Sequence, residues 1–234
     1  MKTTVVIFIV EGKSDENALY PRLRGICKNL KIYPIVVRGD LFIHKDYERI
    51  QNPKILIDTI LKERVFKDNI IRKKDVSCVI HVTDTDGSFI NDYEILINKD
   101  QPESTTYTLD NIVVNSDEQK INIFKRDERR SKFINILSSQ EKVSNLNYRI
   151  LYFSRNMDHV ITGNPDVPKD EKEAKADAFS VSFTKDSDFM LFFEDDSFNL
   201  NENYKASWDF IRRNQNSLKR YTNFGLVFEI LNSL

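Results

Sequence analysis

Two apolar runs, each breaking off into carboxylates beside a glycine, constrain this chain more than any other feature. Val5-Val6-Ile7-Phe8-Ile9-Val10 leads into Glu11-Gly12-Lys13-Ser14-Asp15, and Val79-Ile80-His81-Val82 leads into Thr83-Asp84-Thr85-Asp86-Gly87. A short, continuous apolar run bounded by turn residues is the pattern of a strand covered on both faces, as in a parallel sheet. In open α/β sheets the ligand crevice lies beyond the carboxyl ends of the strands. Two such strands side by side therefore place Glu11, Asp84 and Asp86 in one crevice.

The segments between these runs fit the same architecture. After strand 4–10, Ser14 or Asp15 caps a helix whose apolar positions Leu19, Leu23, Ile26, Cys27 and Leu30 fall at helical spacing, with Pro21 expected to kink or restart it. A second strand is expected over 31–37, closed by a turn at Arg38-Gly39-Asp40. A helix follows from Asn52, with Pro53 at its first position, to about Phe66. The chain then returns through the strand 76–83. Strand, helix, strand, helix, strand is the order of a parallel sheet built by right-handed crossovers.

Beyond Gly87 the pattern loosens. The sequence predicts a helix over 92–98, strands over 111–114 and 149–153 that extend the same sheet, and a helix over 127–137. It predicts a polar, proline-bearing surface loop over 156–177 and a largely helical tail from Asp186, rich in Phe. The expected division is a catalytic α/β domain, residues 1–155, and a mostly helical C-terminal extension, residues 156–234.

Composition bounds the functions available. The chain has 234 residues, 40% hydrophobic and 30% charged, enough for a full core. Its formal net charge of -1 gives no global attraction to nucleic acid, so any such binding rests on local clusters. The apolar start runs directly into Glu11 and Asp15 without a cleavage site, and no stretch reaches the roughly 18 apolar residues of a membrane span. A cytoplasmic protein that does not enter the membrane is the expectation. Cys27 and Cys78, far apart and in apolar surroundings, read as small buried hydrophobes.

Three carboxylates converging in one crevice repel each other, and a hard divalent cation such as Mg²⁺ or Mn²⁺ removes that conflict. Asp84 and Asp86, two apart on an extended strand, point to the same side and can share one ion. Such a site can orient a phosphodiester and activate water, while an unliganded carboxylate acts as general acid or base. Gly12 and Gly87 let backbone approach a phosphate, and Lys13 is the nearest cation to meet one.

Val-Glu-Gly-Lys-Ser-Asp at 10–15, followed by Thr-Asp-Thr-Asp-Gly at 83–87, resembles the Toprim domain shared by topoisomerases, bacterial primases, maturase-type ribonucleases and the overcoming-lysogenization-defect nucleases. The resemblance covers roughly residues 4–115. It implies a compact, mainly parallel sheet between helices, with Glu11 as general acid/base or metal ligand, Asp84 and Asp86 as Mg²⁺ ligands, and Asp15 as a second-metal ligand. No topoisomerase tyrosine region or primase zinc region is recognisable, so the resemblance implies a small stand-alone nuclease acting on DNA or RNA. Nucleases of this kind often work with an ATPase in phage defence. This chain has no Walker A pattern, so the ATPase would act in trans. Whether the protein is a homo-oligomer is left open.

Other readings compete. Glu11 and Asp15 also suit a helix N-terminus, and Asp84-Thr85-Asp86-Gly87 a polar turn. The same tetrad resembles the first motif of haloacid-dehalogenase-like phosphatases, with Lys185, Asp195 and Asp196 forced into the later motifs. A silent Toprim fold acting as a regulatory or toxin subunit is the alternative from outside enzymology. Asp158 is read as a further metal ligand or a loop salt bridge, and His81 as a core histidine. His44 and His159 are read as loop residues without a role. Lys120, Lys125, Arg126, Arg129, Arg130 and Lys132, and then Arg212, Arg213, Lys219 and Arg220, are the candidate nucleic-acid contacts, weighed against solvated helix faces.

Overall fold

The computed structural model describes residues 4–42, 47–68, 70–201 and 203–234. Its centre is a sheet in which β1 (Thr4–Val10), β2 (Ile32–Arg38), β3 (Val76–Asp84) and β8 (Leu146–Phe153) run parallel in the order β2-β1-β3-β8. The two-residue β7 (Lys142–Val143) pairs antiparallel with β8 at the edge. The class is α/β, with a mostly parallel mixed sheet flanked by helices and further helices at the C-terminal end.

Both faces of the sheet are apolar, which is why β1 and β3 read as unbroken runs. Val6, Phe8 and Val10 of β1 point to one side and Ile7 and Ile9 to the other. The first side is covered by α1 (Lys13–Asn29), through Leu19, Leu23 and Cys27. The second is covered by α2 (Pro53–Arg64), through Leu56, Ile57 and Ile60, and by α3 (Asp117–Ser138), through Phe133, Ile134 and Leu137. Cys27 and Cys78 are buried, and burial pushes both thiols up to about 11. Helix α1 starts earlier than expected, at Lys13, with Gly12 as its N-cap. It runs on through Pro21, whose exposed position leaves water to replace the hydrogen bond the ring removes.

Three expectations are corrected. Residues 92–98 are not a helix: one 3-10 turn (Asp92–Glu94) leads into β4 (Ile95–Ile97). The strand expected at 111–114 is β6 (Ile112–Val114), and it does not extend the main sheet. It joins β4 and β5 (Thr106–Tyr107) in a separate three-stranded sheet, order β4-β6-β5, around Ile90, Ile95, Ile112, Val114 and Leu218. Strands of two or three residues are too short to show a period. The run 156–177 is not a surface loop either: it contains α4 (Met157–Thr162), buried along most of its length, and the start of α5 (Lys172–Ser182). His159 lies on α4 and is buried; His44 lies outside the described residues.

The tail folds as α6 (Asp186–Phe192), α7 (Tyr204–Ile211) and α8 (Leu226–Asn232). Its phenylalanines pack onto the sheet: the Phe193 ring lies tilted at 4.6 Å from Phe224 and 6.2 Å from Phe153 of β8, and Phe189, Phe198 and Phe228 complete the same cluster. Trp208 and Ile211 of α7 reach the opposite face. The C-terminal segment thus shares both apolar layers with the sheet.

Truncating Phe193, which is fully buried, to Ala should cost about 3–5 kcal/mol. For a chain of this size that is a fall in Tm of roughly 10 °C. Because the cluster joins tail and sheet, calorimetry of Phe193→Ala should still show one transition; a separate early transition would mean that the tail unfolds alone.

Candidate active site

The ends of β1 and β3 lie side by side, and Glu11 turns from the first onto the second. Its Oε1 accepts from the Thr83 hydroxyl at 2.6 Å, from the Asp84 backbone N–H at 2.9 Å and from Arg130 Nη1 at 2.6 Å. Arg130 comes from α3 and is wholly buried. Its Nη1 also donates to the Asp84 carbonyl at 3.0 Å, while Nη2 meets Asp40 at 2.7 Å and Asp86 at 3.1 Å. One guanidinium therefore ties together the ends of β1 and β3, the turn after β2 and the loop after β3.

Asp84 and Asp86 reach this crevice by a route the sequence did not suggest. β3 ends at Asp84, and Asp86 adopts a left-handed backbone, φ 45°, so a turn rather than strand alternation brings the second carboxylate round. Partners from distant parts of the chain hold that turn. Asp86 N–H donates to the Arg155 carbonyl at 2.7 Å, the Thr85 hydroxyl donates to the Ser217 carbonyl at 2.9 Å, and Arg155 N–H donates to Thr85 Oγ1 at 2.7 Å. The Asp84 side chain accepts the Met157 N–H at 3.0 Å, at the start of α4. At Gly87 a side chain would collide with Asp127 and Ile112, so glycine is required by close approach.

Asp15 serves two ends. Its Oδ2 accepts the Gly12 N–H at 2.6 Å, the helix-capping use of an acid at this position. It is also buried close enough to Asp158 and Asp40 to feel both charges. Asp158 sits on α4 rather than in a loop. Lys172 of α5 holds its Oδ2 at 2.6 Å, while its Oδ1 is buried with no hydrogen-bond partner. Lys13 lies apart: its ammonium is on Glu173 at 2.7 Å, at the exposed surface.

The electrostatics are those of too many acids for the cations present. Apart from the Arg126–Asp127 ion pair, whose charges cancel, Arg130 and Lys172 face Glu11, Asp15, Asp40, Asp84, Asp86 and Asp158. Burial pushes Glu11 up to about 8; Arg130 opposes this, and Asp40 and Asp86 add to it. Burial pushes Asp15 up to about 6, with the Gly12 hydrogen bond opposing and Asp158 adding. Asp84 is held well above the carboxylate range by burial and then by Glu11, Asp15 and Asp86. Burial works against the charge of Arg130, but Glu11, Asp86 and Asp40 outweigh it and keep the guanidinium ionised.

An acid excess of hard oxygen donors, with Asp158 Oδ1 orphaned, is the chemistry that a divalent cation satisfies. Among the described residues, however, no three His, Cys, Asp or Glu side chains already surround one point as ligands. Arg130 stands among three of the carboxylates instead.

The basic clusters are not open faces. Arg126 is bound to Asp127 and Tyr107, Arg129 to the carbonyls of Phe42, Tyr47 and Ile50, and Arg130 to the crevice; Lys125 and Lys132 are exposed. In the second cluster Arg212 binds Asn135 and Ser138, and Arg220 binds the Val160 carbonyl. Among the described residues no hydrogen bond or ion pair ties Lys185, Asp195 or Asp196 to Asp84 or Asp86. His81 is a core residue, bonded to the Tyr148 hydroxyl at 2.8 Å, and burial holds it down to about 3. Sequence reasoning missed Asp40 and Lys172, and assigned Arg130 to a surface. A signal for Arg130 existed: with Phe133, Ile134 and Leu137 it forms an i, i+3, i+4, i+7 stripe.

Comparison with protein-family models, curated proteins and solved structures gives no match. Among the described residues no helix is long and apolar enough to cross a membrane.

The shifted acids predict an inverted pH dependence of stability. Glu11 and Asp15 bind protons more tightly folded, at about 8 and about 6, than unfolded, at 4.5 and 3.8. Buried His81 and His159, held down to about 3 and about 4 against 6.5 unfolded, oppose this below about pH 6.5, so the folded state clearly carries more protons only above it, and stability falls as pH rises from about 6.5 to about 8. Thermal melts in EDTA should show this fall. Asp84→Asn, which removes a repelled charge but keeps an acceptor for the Met157 N–H, should raise Tm by several degrees at pH 8 and by little at pH 5, since each unit of raised pKa is worth about 1.4 kcal/mol.

Proposed function

We propose that the crevice is the active site of a phosphodiester hydrolase that cuts DNA or RNA with Mg²⁺ or Mn²⁺ as cofactor. The observation that carries this reading is the convergence of Glu11, Asp84 and Asp86 at adjacent parallel strand ends, in an excess of half-buried and buried acid. It agrees with the order of acids in the Toprim resemblance. Asp84, and Asp86 through the Oδ1 that Arg130 does not engage, would hold the cation, with Asp15 beside them; the bound ion would polarise the phosphate and activate water.

The chain's own residues divide the remaining work. Arg130, Thr83 and the Asp84 N–H all occupy Oε1 of Glu11, so a proton on this side chain sits on Oε2. A carboxyl raised to about 8 can give or take that proton near neutral pH, which makes Glu11 the general acid/base. Arg130, fixed in turn by Asp40, holds it in place. The turn from Thr85 to Gly87, braced by Ser217 and Arg155, fixes Asp86. An ATPase supplied in trans, in phage defence, belongs to the same proposal.

One observation favours a second reading, a silent fold that acts by binding a partner: a guanidinium already bonds three of the carboxylates.

Cleavage of labelled supercoiled DNA, single-stranded DNA and structured RNA in Mg²⁺, Mn²⁺ or EDTA separates the two. The hydrolase reading expects cation-dependent cutting of one polymer, reduced about 10²-fold or more in Glu11→Gln and abolished in Asp84→Asn. Cutting that persists in both variants, or no cutting of any polymer, would falsify it, and the second outcome would favour the silent fold.

A further inference from the structure

Arg130 is held as a metal ion is held, not as an arginine in a salt bridge is held. Arginine usually meets one carboxylate with two parallel N–H bonds. Here the two terminal nitrogens spread over three carboxylates from three separate segments, Glu11, Asp40 and Asp86, and over the Asp84 carbonyl, while Nε has no partner. The donors around it, three carboxylates and one carbonyl, are the set a hard divalent cation takes.

The side chain is also not free to leave. It emerges from the middle of the 22-residue α3, and Phe133 and Ile134, on the same stripe, are wholly buried. Its guanidinium lies 5.9 Å from the Phe42 ring, on the loop that also carries Asp40. The Phe42 N–H in turn bonds Asp40 at 3.2 Å, so the acid and its arginine are positioned by one loop.

We infer that Arg130 is the resident cation of the crevice: a positioning residue that permanently occupies the place of one divalent ion among Glu11, Asp40 and Asp86, so that the chain takes up at most one added ion. This rests on the proposed hydrolase site but makes a separate claim, about how many ions the site holds. Charge supports the count. Arg130 bonds three of the six acids, and of the remainder, Asp84, Asp15 and Asp158, only the Asp158 carboxylate is bonded by a cation among the described residues, Lys172.

Mn²⁺ binding to the full chain, followed by electron paramagnetic resonance of the free ion and by calorimetry, tests this without reference to activity. The native chain is expected to bind one Mn²⁺, Arg130→Met one more than the native chain, and Arg130→Lys, which keeps a cation, no more than the native chain. Equal counts in Arg130→Met and native protein overturn the inference, as do two ions in the native chain. The native count does not depend on Arg130→Met folding, and circular dichroism of that variant checks that it does. No ion in the native chain and one in Arg130→Met would sustain the inference and sink the metal-dependent hydrolase, so the two failures are distinguishable. No ion in either would overturn both.

Discussion

A single buried guanidinium against an excess of buried and half-buried carboxylates is the interaction on which this molecule turns. Removing an ion from water costs several kcal/mol even after relaxation, and only close, well-bonded partners offset it. Arg130 has them at 2.6, 2.7 and 3.1 Å. The dependence is mutual: without the guanidinium, Glu11, Asp40 and Asp86 would meet with no positive charge between them. The ends of β1 and β3, the turn after β2 and the start of the β3 loop are therefore joined by an electrostatic contact, in a fold whose strands are otherwise held by backbone hydrogen bonds and apolar packing.

The neutralisation is incomplete, and the remainder is directional. Of Asp84, Asp15 and Asp158, only the Asp158 carboxylate has an ion pair among the described residues, with Lys172, and Asp15 and Asp84 are raised clearly or well above their usual range. A sequence selected for stability alone would not bury these acids together; local conflicts of this kind are expected where function is placed and stability is made up elsewhere. The compensation is visible in the tail. The turn carrying Asp86 has left-handed residues at Asp86 and Phe89, conformations that side chains adopt only when their surroundings insist. Ser217, in a turn well over a hundred residues further on, accepts from Thr85 and donates to the Ser88 carbonyl at 2.5 Å. The phenylalanine cluster of α6 and α8 anchors that part of the chain to β8. The C-terminal segment thus acts as a brace for the loop.

What the sequence disclosed follows from which signals are local. β1, β2 and β3, and the helices between them, were legible because both faces of the sheet are covered, which writes an apolar run, and because Pro53 marks a helix start. The three acids were legible because they terminate those runs. The small sheet was not, since β4, β5 and β6 have two or three residues each and their partners are set by tertiary packing. α4 was obscured by Pro165 and Pro168 just beyond it, although Met157, Val160 and Ile161 fall at helical spacing. Arg130 was hidden by its neighbours: in a run with Arg126, Arg129 and Lys132 it reads as one solvated cation among several, and only its register with Phe133, Ile134 and Leu137 sets it apart. Asp40 had no signal at all, being an ordinary turn residue until α3 is folded against it.

The same contact that stabilises the crevice also differentiates Glu11. Three donors converge on one oxygen, Oε1, and leave Oε2 without a hydrogen bond among the described residues. A carboxyl bound symmetrically would present no preferred face, and one left wholly free would be solvated and ordinary. Held on one side by Arg130 and presenting the other to the crevice, it has a fixed direction and a protonation balance near neutrality. Asp84, one strand over, is differentiated in the same manner: the α4 amide engages Oδ1 and leaves Oδ2 free of hydrogen bonds among the described residues. Two acids on adjacent strands, each committed through one oxygen to the scaffold and presenting the other to the crevice, constitute the arrangement on which the proposed chemistry depends.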